Sequence, residues 1–275
     1  KGNFRERKIK RALNILKKAV IAIIIFLVLV TVLLILPPVQ TFLANKAAGY
    51  LKSEFNIVAS IGSLRISLPN RVLLKDVYIE DDHSDTLIYA QRLEVLYSGF
   101  NGQTNTLNSS RVSLENGRLY MRKYQEDSLF NFAYFFEKLS TGEPDTSTPT
   151  GESFKLKITN IDISDFRYTK HRLGCTDTCT NIFLTNAKIE VDDFMLDGGY
   201  VTGDVKHLSW TDKQRFNLYE LRGKAAYQAQ SMSLHDLYFK TDGSEVTGDA
   251  TLEYNSGEDL GDFLELVNFK GYFEN

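Results

Sequence analysis

The feature that most constrains this chain lies in its second half. After Leu139 no segment has the length and 3.6-residue period of a helix, while apolar residues recur at every second position. Phe154, Leu156 and Ile158 alternate with Lys155 and Lys157, and Ala187, Ile189 and Val191 with Lys188, Glu190 and Asp192. Val246, Gly248, Ala250, Leu252 and Tyr254 oppose Thr247, Asp249, Thr251 and Glu253, and Met232 and Leu234 begin a similar run. A period of two sends successive side chains to opposite faces, so each strand has one wet and one greasy face. With no helix available to cover the greasy faces, two solutions remain. Either a second sheet covers them, as in a sandwich or closed barrel, or one sheet curls into a trough whose apolar floor holds an apolar ligand. Base rates favour the sandwich.

The same period governs the region from 57 to 139, where Leu64, Ile66 and Leu68 alternate with Arg65 and Ser67, and Leu93, Val95 and Tyr97 with Glu94 and Leu96. Asn116-Gly117, between strand-like runs at 111–115 and 118–124, suits the positive φ angles of a tight hairpin turn. The aromatic run at 128–139 predicts a short helix capped by Asp127 or Ser128. Residues 140–153, with two prolines, two glycines and no large apolar side chain, predict a flexible exposed loop, either a subdomain boundary or a long crossover. A second β segment then runs over 154–275. Several strands share a phrase in which apolar alternation meets an acidic residue and resumes: LLKDVYIED, ITNIDISDFRY, AKIEVDDFMLDG and MSLHDLYFKTDGSEVTGDATLEY. The phrase recurs irregularly, which excludes a fixed-period solenoid. It fits similar hairpins added one after another to a long sheet, or separate strands that share turn chemistry.

Ahead of the β body, residues 19–36 form an eighteen-residue stretch without a charge, centred on residues such as Ile21 and Phe26 and ending at Leu36. At the helical rise it spans about 27 Å, nearly the thickness of a hydrocarbon core. It is longer than the apolar region of a cleaved signal peptide, and Pro37-Pro38-Val39-Gln40 offers no small-x-small cleavage site, so an uncleaved anchor is expected. Residues 1–18 carry Lys1, Arg5, Arg7, Lys8, Lys10, Arg11, Lys17 and Lys18 against Glu6 alone. The positive-inside rule therefore puts this basic segment in the cytoplasm and the body on the far side. The whole chain has a net charge of -3, so the body is distinctly acidic, which argues against a nucleic-acid partner. Between anchor and strands, Phe42, Leu43, Ala47, Tyr50, Leu51 and Phe55 recur at helical spacing. They predict an amphipathic helix over 39–55, lying on the membrane or closing one end of the body.

Residues with catalytic potential are sparse. There is no Gly-x-Ser-x-Gly, no phosphate-binding glycine loop and no His-Glu-x-x-His, so no enzyme and no cofactor are expected. Cys175 and Cys179 sit close together in an exported segment, where a disulfide is the leading reading; free thiols, or a metal site with His171, are the alternatives. The acidic run Glu80-Asp81-Asp82-His83-Ser84-Asp85 lacks the glycine and terminal glutamate of a calcium loop and reads as a solvated turn, and His83, His207 and His235 read as solvated.

The order of anchor, short helix, NIVASIGSLRISLPNRVLLKDVYIED and VSLENGRLYMRKY, together with the late LHDLYFKTDGSEVTGDATLEY, resembles the AsmA-like superfamily. Within it the pattern is similar to the TamB family, the inner-membrane component of translocation and assembly modules, in its Bacteroidota form. The resemblance implies a mainly β fold: an N-terminal transmembrane helix, then an elongated antiparallel sheet curled into a U-shaped groove, with one or two short helices. It implies a single-pass inner-membrane protein with a periplasmic body that moves phospholipid between inner and outer membranes. Its outer-membrane partner would be a TamA-like barrel. The chain starts at Lys1 and stops at Asn275 in a strand-like stretch, so an N-terminal fragment without the partner-binding part is expected. About a dozen strands would give a trough of roughly 60 Å, a loading end rather than a full bridge.

On this reading Leu64, Ile66, Leu93, Val95, Phe154 and Leu156 line the groove, with Ile158, Ile189 and Val191 beyond them. Met232, Leu234, Val246, Ala250, Leu252 and Tyr254 complete the lining. The competing function is outer-membrane protein assembly by β-strand augmentation at an open edge. A third is a closed scaffold without a ligand.

Overall fold

A computed structural model describes residues 2–140, 154–174, 181–212, 216–228, 230–254 and 268–274. The chain begins with α1 (Gly2–Ile35), which contains the apolar stretch and runs well upstream of it. Leu36 is extended (φ −65°, ψ 127°), and Pro37 and Pro38 open α2 (Pro37–Phe55) at the helix positions where a missing N–H costs nothing. The second helix ends at Asn56, left-handed at φ 51°, where the amides of Asn56 and Ile57 both return to the Leu51 carbonyl.

Eleven strands follow: β1 (Ala59–Ser67), β2 (Arg71–Glu80), β3 (Thr86–Asn101), β4 (Thr106–Lys123), β5 (Lys155–Arg172) and β6 (Ile182–Asp197), then β7 (Tyr200–Thr211), β8 (Leu218–Gln228), β9 (Ser231–Thr241), β10 (Glu245–Glu253) and β11 (Asn268–Glu274). One further helix, α3 (Asn131–Ser140), lies between β4 and β5, close to the expected 128–139. The strands make a single sheet in sequence order that does not close on itself. The sandwich that base rates favour is not formed: α2 packs on β1, α3 beside β4, and among the described residues no second layer covers the sheet. Among the described residues, Leu87 and Leu218 are the large side chains sealed completely. At about 4.8 Å per strand the sheet is about 48 Å across.

All neighbours pair antiparallel except β4 and β5, which run parallel from Thr106↔Lys155 to Lys123↔Arg172. A parallel pair needs a long crossover. Residues 124–154, including α3, provide it, so the 140–153 segment belongs to a crossover; residues 141–153 themselves lie outside the described part.

The hairpin expected at Asn116-Gly117 is absent, because β4 runs straight through both residues. Asn116 instead takes a left-handed φ of 49° inside the strand. Gly117 leaves room for the ring of Phe166 on β5, since a Cβ there would lie 2.6 Å from Phe166 Cδ2. The shared acidic phrase has the same origin. Its aspartates Asp76, Asp165, Asp193 and Asp236 all have positive φ, between 50° and 54°. Asp and Asn tolerate this region better than other side chains with a Cβ. At Asp165, Asp193 and Asp236 the pairing gains an extra residue on the aspartate's strand. Such bulges bend a strand and increase its twist, and repeated across a sheet they curl it. Asp76 and Asn116 both stand opposite Gln91, and Asn116 is beside Asp165, so the bends line up in a row across β2–β5. The Asn116 amide donates to Gln91 Oε1 at 2.8 Å within that row.

Candidate functional site: an apolar floor across the sheet

Directly paired residues share a face, so the register traces the floor from strand to strand. Leu64, Leu74, Leu93, Leu114 and Ile163 are paired in succession across β1–β5. The same row continues through Ile189, Leu208, Leu221, Phe239 and Val246 across β6–β10. Ten strands thus place ten large apolar side chains in one unbroken line, and every one is half-buried rather than sealed. Beside it, Ile66, Val72, Val95, Val112, Ile161 and Val191 form a second row. Towards the other strand ends of β5–β10, Leu156, Leu196, Val201, Tyr227, Met232 and Leu252 form a third.

On β8, Leu221, Ala225 and Tyr227 stand at alternate positions and join the first and third rows on one face. Arg222 and Lys224 belong to the other face. That face is held by ion pairs: Arg71–Glu94 at 2.7 Å, Arg92–Glu94 at 2.8 Å, Arg111–Asp162 at 3.1 Å and Lys224–Asp236 at 2.8 Å. Hydrogen bonds from Arg71 and then Arg92 hold the Glu94 carboxyl below the usual glutamate range. The sheet is therefore charged outside and apolar inside.

The sequence-derived lining residues are distributed over these rows. Leu64, Leu93, Ile189 and Val246 stand in the first row and Ile66, Val95 and Val191 in the second. Leu156, Met232 and Leu252 stand in the third, and Leu234 pairs with Ala225 and Ala250 between rows. Three others sit differently. Phe154 precedes β5 and is exposed; Ile158 is 7% exposed, paired with Ser109 and Phe194; Tyr254 is buried just after β10 and donates its hydroxyl to the Gln228 carbonyl at 3.0 Å. Leu74, Leu114, Ile163, Leu208, Leu221 and Phe239 complete the first row, although sequence reasoning did not select them. Ile161 and Ile163 alternate visibly in ITNIDIS, which was the available signal.

One rim is tied down. The Asp81 carboxylate is buried and accepts from the Asn131 amide and the Tyr124 hydroxyl, both at 2.8 Å, and from the amides of His83 and Asp85. His83 stacks on Tyr124 with ring centres 3.7 Å apart. Burial, followed by the bonds to Asp85 and Asp81, pushes the Tyr124 hydroxyl pKa well up, so it stays protonated as a donor. Residues 82–85 of the turn are exposed, as expected, while Asp81 turns its carboxylate inward and ties the turn to the start of α3. His207 lies 2.9 Å from the Ser209 hydroxyl, and His235, exposed as expected, lies 3.4 Å from Asp249. Among the described residues no three His, Cys, Asp or Glu side chains gather as metal ligands would. Cys175 and Cys179 lie outside the described residues.

Within α1, the window Leu16–Leu33 has a mean hydropathy of 2.7 and none of it is buried, so the helix is long and apolar enough to cross a membrane, as an anchor or a signal sequence would be. Ile21, Phe26 and Leu36 are all exposed. Comparison with protein-family models and with curated proteins finds no match.

Proposed function

We propose that this protein is a non-enzymatic lipid conduit of the TamB kind: a sheet that carries phospholipid acyl chains along its apolar face, anchored by α1 in the inner membrane. The N-terminus is cytoplasmic and the body periplasmic, because the basic cluster precedes the apolar stretch. The observation that carries the reading is the ten-strand apolar row, uninterrupted and half-buried, on a sheet with no second layer among the described residues. On β8 the floor from Leu221 to Tyr227 is about 20 Å wide, room for a diacyl lipid. Acyl chains in a bilayer are already out of water, so the floor has only to match that environment. A smooth apolar surface without specific polar contacts lets the chains slide. The segment described here is the loading end, and an outer-membrane barrel of the TamA kind is the partner at the far membrane.

The assembly alternative needs an open strand edge. At β1 part of that edge is covered by α2, where Gln40 donates to the Ile66 carbonyl at 3.5 Å, whereas β11 has no such helix beside it among the described residues. A charge on the floor tests the conduit. Leu114→Asp places a carboxylate between Leu93 and Ile163, whereas Ser113→Asp puts the same charge on the outer face. The expected result is at least a tenfold loss of phospholipid transfer for Leu114→Asp and little change for Ser113→Asp, with both variants folded by circular dichroism. Equal transfer by both folded variants contradicts the conduit.

A further inference from the structure

The second helix has two faces, and only one packs on the sheet. Ala44 is buried, and Gln40, 8% exposed, reaches the backbone of β1. The opposite face presents Phe42, Asn45, Lys46, Gly49, Tyr50 and Ser53, spaced three and four residues apart along one side of a shallow cleft. Phe42 is 57% exposed and Tyr50 59%. Their local contacts leave most of each ring outside: the Lys46 ammonium lies 5.8 Å from the Phe42 ring centre, and Tyr50 meets Phe55 edge-on at 6.0 Å. Folding has already satisfied α2 through its other face and gains nothing from two aromatics here.

The position of the helix identifies what covers them. The apolar window of α1 ends at Leu33, and α2 starts at Pro37 after the extended break at Leu36. Phe42 and Tyr50 are eight residues apart, about 12 Å along the axis, so both can reach one membrane interface only if α2 lies along the surface. The break at Leu36 allows that turn. Tyrosine and phenylalanine favour the headgroup level, and a lysine between them matches lipid phosphate.

We propose that α2 lies in the headgroup layer of the leaflet in which α1 ends, with Phe42 and Tyr50 inserted and Lys46 at the phosphates. It thereby seats β1, where the apolar row begins at Leu64, against the lipids to be loaded. The inference rests on the membrane-anchor reading of α1 and adds where the conduit meets its donor membrane.

The test uses the full chain in vesicles of phosphatidylethanolamine and phosphatidylglycerol, with a spin-labelled amino acid introduced singly at Ile24, Phe42, Tyr50 or Lys75. Power saturation by oxygen and by a water-soluble nickel chelate reports depth. The expected result is Ile24 deep, Phe42 and Tyr50 at the interface, and Lys75 in water. Ile24 deep with Phe42 and Tyr50 as wet as Lys75 overturns the seating of α2 and leaves the anchor standing. Ile24 in water overturns the anchor and the seating together. In a second measurement, the double variant Phe42→Ser and Tyr50→Ser is expected to acquire fluorescent phospholipid from these vesicles about fivefold more slowly at unchanged Tm. Unchanged acquisition overturns the loading role.

Discussion

The β1–β5 half of the floor and the β7–β11 half belong to one sheet but are lined differently. In the first, the row beside the main line is β-branched: Ile66, Val72, Val95, Val112 and Ile161. In the second, the row between the large side chains is mostly small: Gly203, Ala225, Leu234, Ala250 and Gly271. The first half bends at Asp76, Asn116 and Asp165 and at Gly99, and the second at Asp236, Gly223 and Gly248. The first is bordered by α2 and α3 and tied at its rim by Asp81, Tyr124 and Asn131. Among the described residues the second has no such border. Stiff β-branched rows and a knotted rim hold a fixed shape, whereas small side chains deepen the floor and leave space above it. The difference assigns shape-keeping to the half next to the membrane helix and capacity to the other.

Three substitutions and a pH change test the difference between the halves. The largest effect is expected from Gly117→Leu, whose side chain would be driven into Phe166 where a Cβ alone already comes within 2.6 Å. Overpacking of this kind costs about 3 kcal/mol, read as a lowered Tm. At Gly248, whose φ is +150°, a Cβ would run into the Tyr272 carbonyl oxygen and lie 2.9 Å from Phe273 Cα on β11; because β11 is the edge strand, Gly248→Leu should displace that strand alone. Equal Tm losses from the two substitutions would erase the distinction.

A smaller effect is expected for Tyr124→Phe. It removes a donor from the buried Asp81 and should cost about 1–3 kcal/mol. Hydrogen exchange should show the loss as faster opening around α3 and the β2–β3 turn, with β7–β10 unchanged. Uniform acceleration over the whole sheet would mean that the knot is not local.

Acid should produce the smallest effect. The Glu94 carboxyl is held below its ordinary pKa by Arg71 and Arg92, so its contribution is fully present above the ordinary glutamate value, about 4.3, and is lost as pH falls through the lower, folded-state value. Ion pairs at a surface are worth about 0–1 kcal/mol. Amide protection in β2 and β3, measured against the intrinsic exchange rate at each pH, should therefore fall modestly below that ordinary value and recover on neutralisation. Increasing protection on acidification would contradict the assignment.

Much of this architecture was legible in the sequence, because burial on one face writes a period of two into each strand. The apolar stretch, the helix after it and, among the described residues, the lack of covering helices beyond α3 followed from the same reasoning. What escaped were the bends. Asn116 takes the same left-handed backbone inside a strand as it would in a turn, so local chemistry could not tell a continuous β4 from a hairpin. Leu114 and Leu208 stand on β4 and β7, outside the repeated phrases, and their place in the row beside Leu93 and Ile189 depends on register rather than on local alternation. The parallel pairing of β4 and β5 is a long-range choice that no local pattern encodes.

The central claim is that the apolar face is open to lipid. A photo-crosslinking amino acid at Leu252, which pairs with Met232 on the floor, can be compared in cells with one at Thr251, which pairs with Ser233 on the other face. Phospholipid attached at Leu252 and absent at Thr251 is the predicted result; no lipid at either position, in a folded protein, would contradict an open lipid conduit.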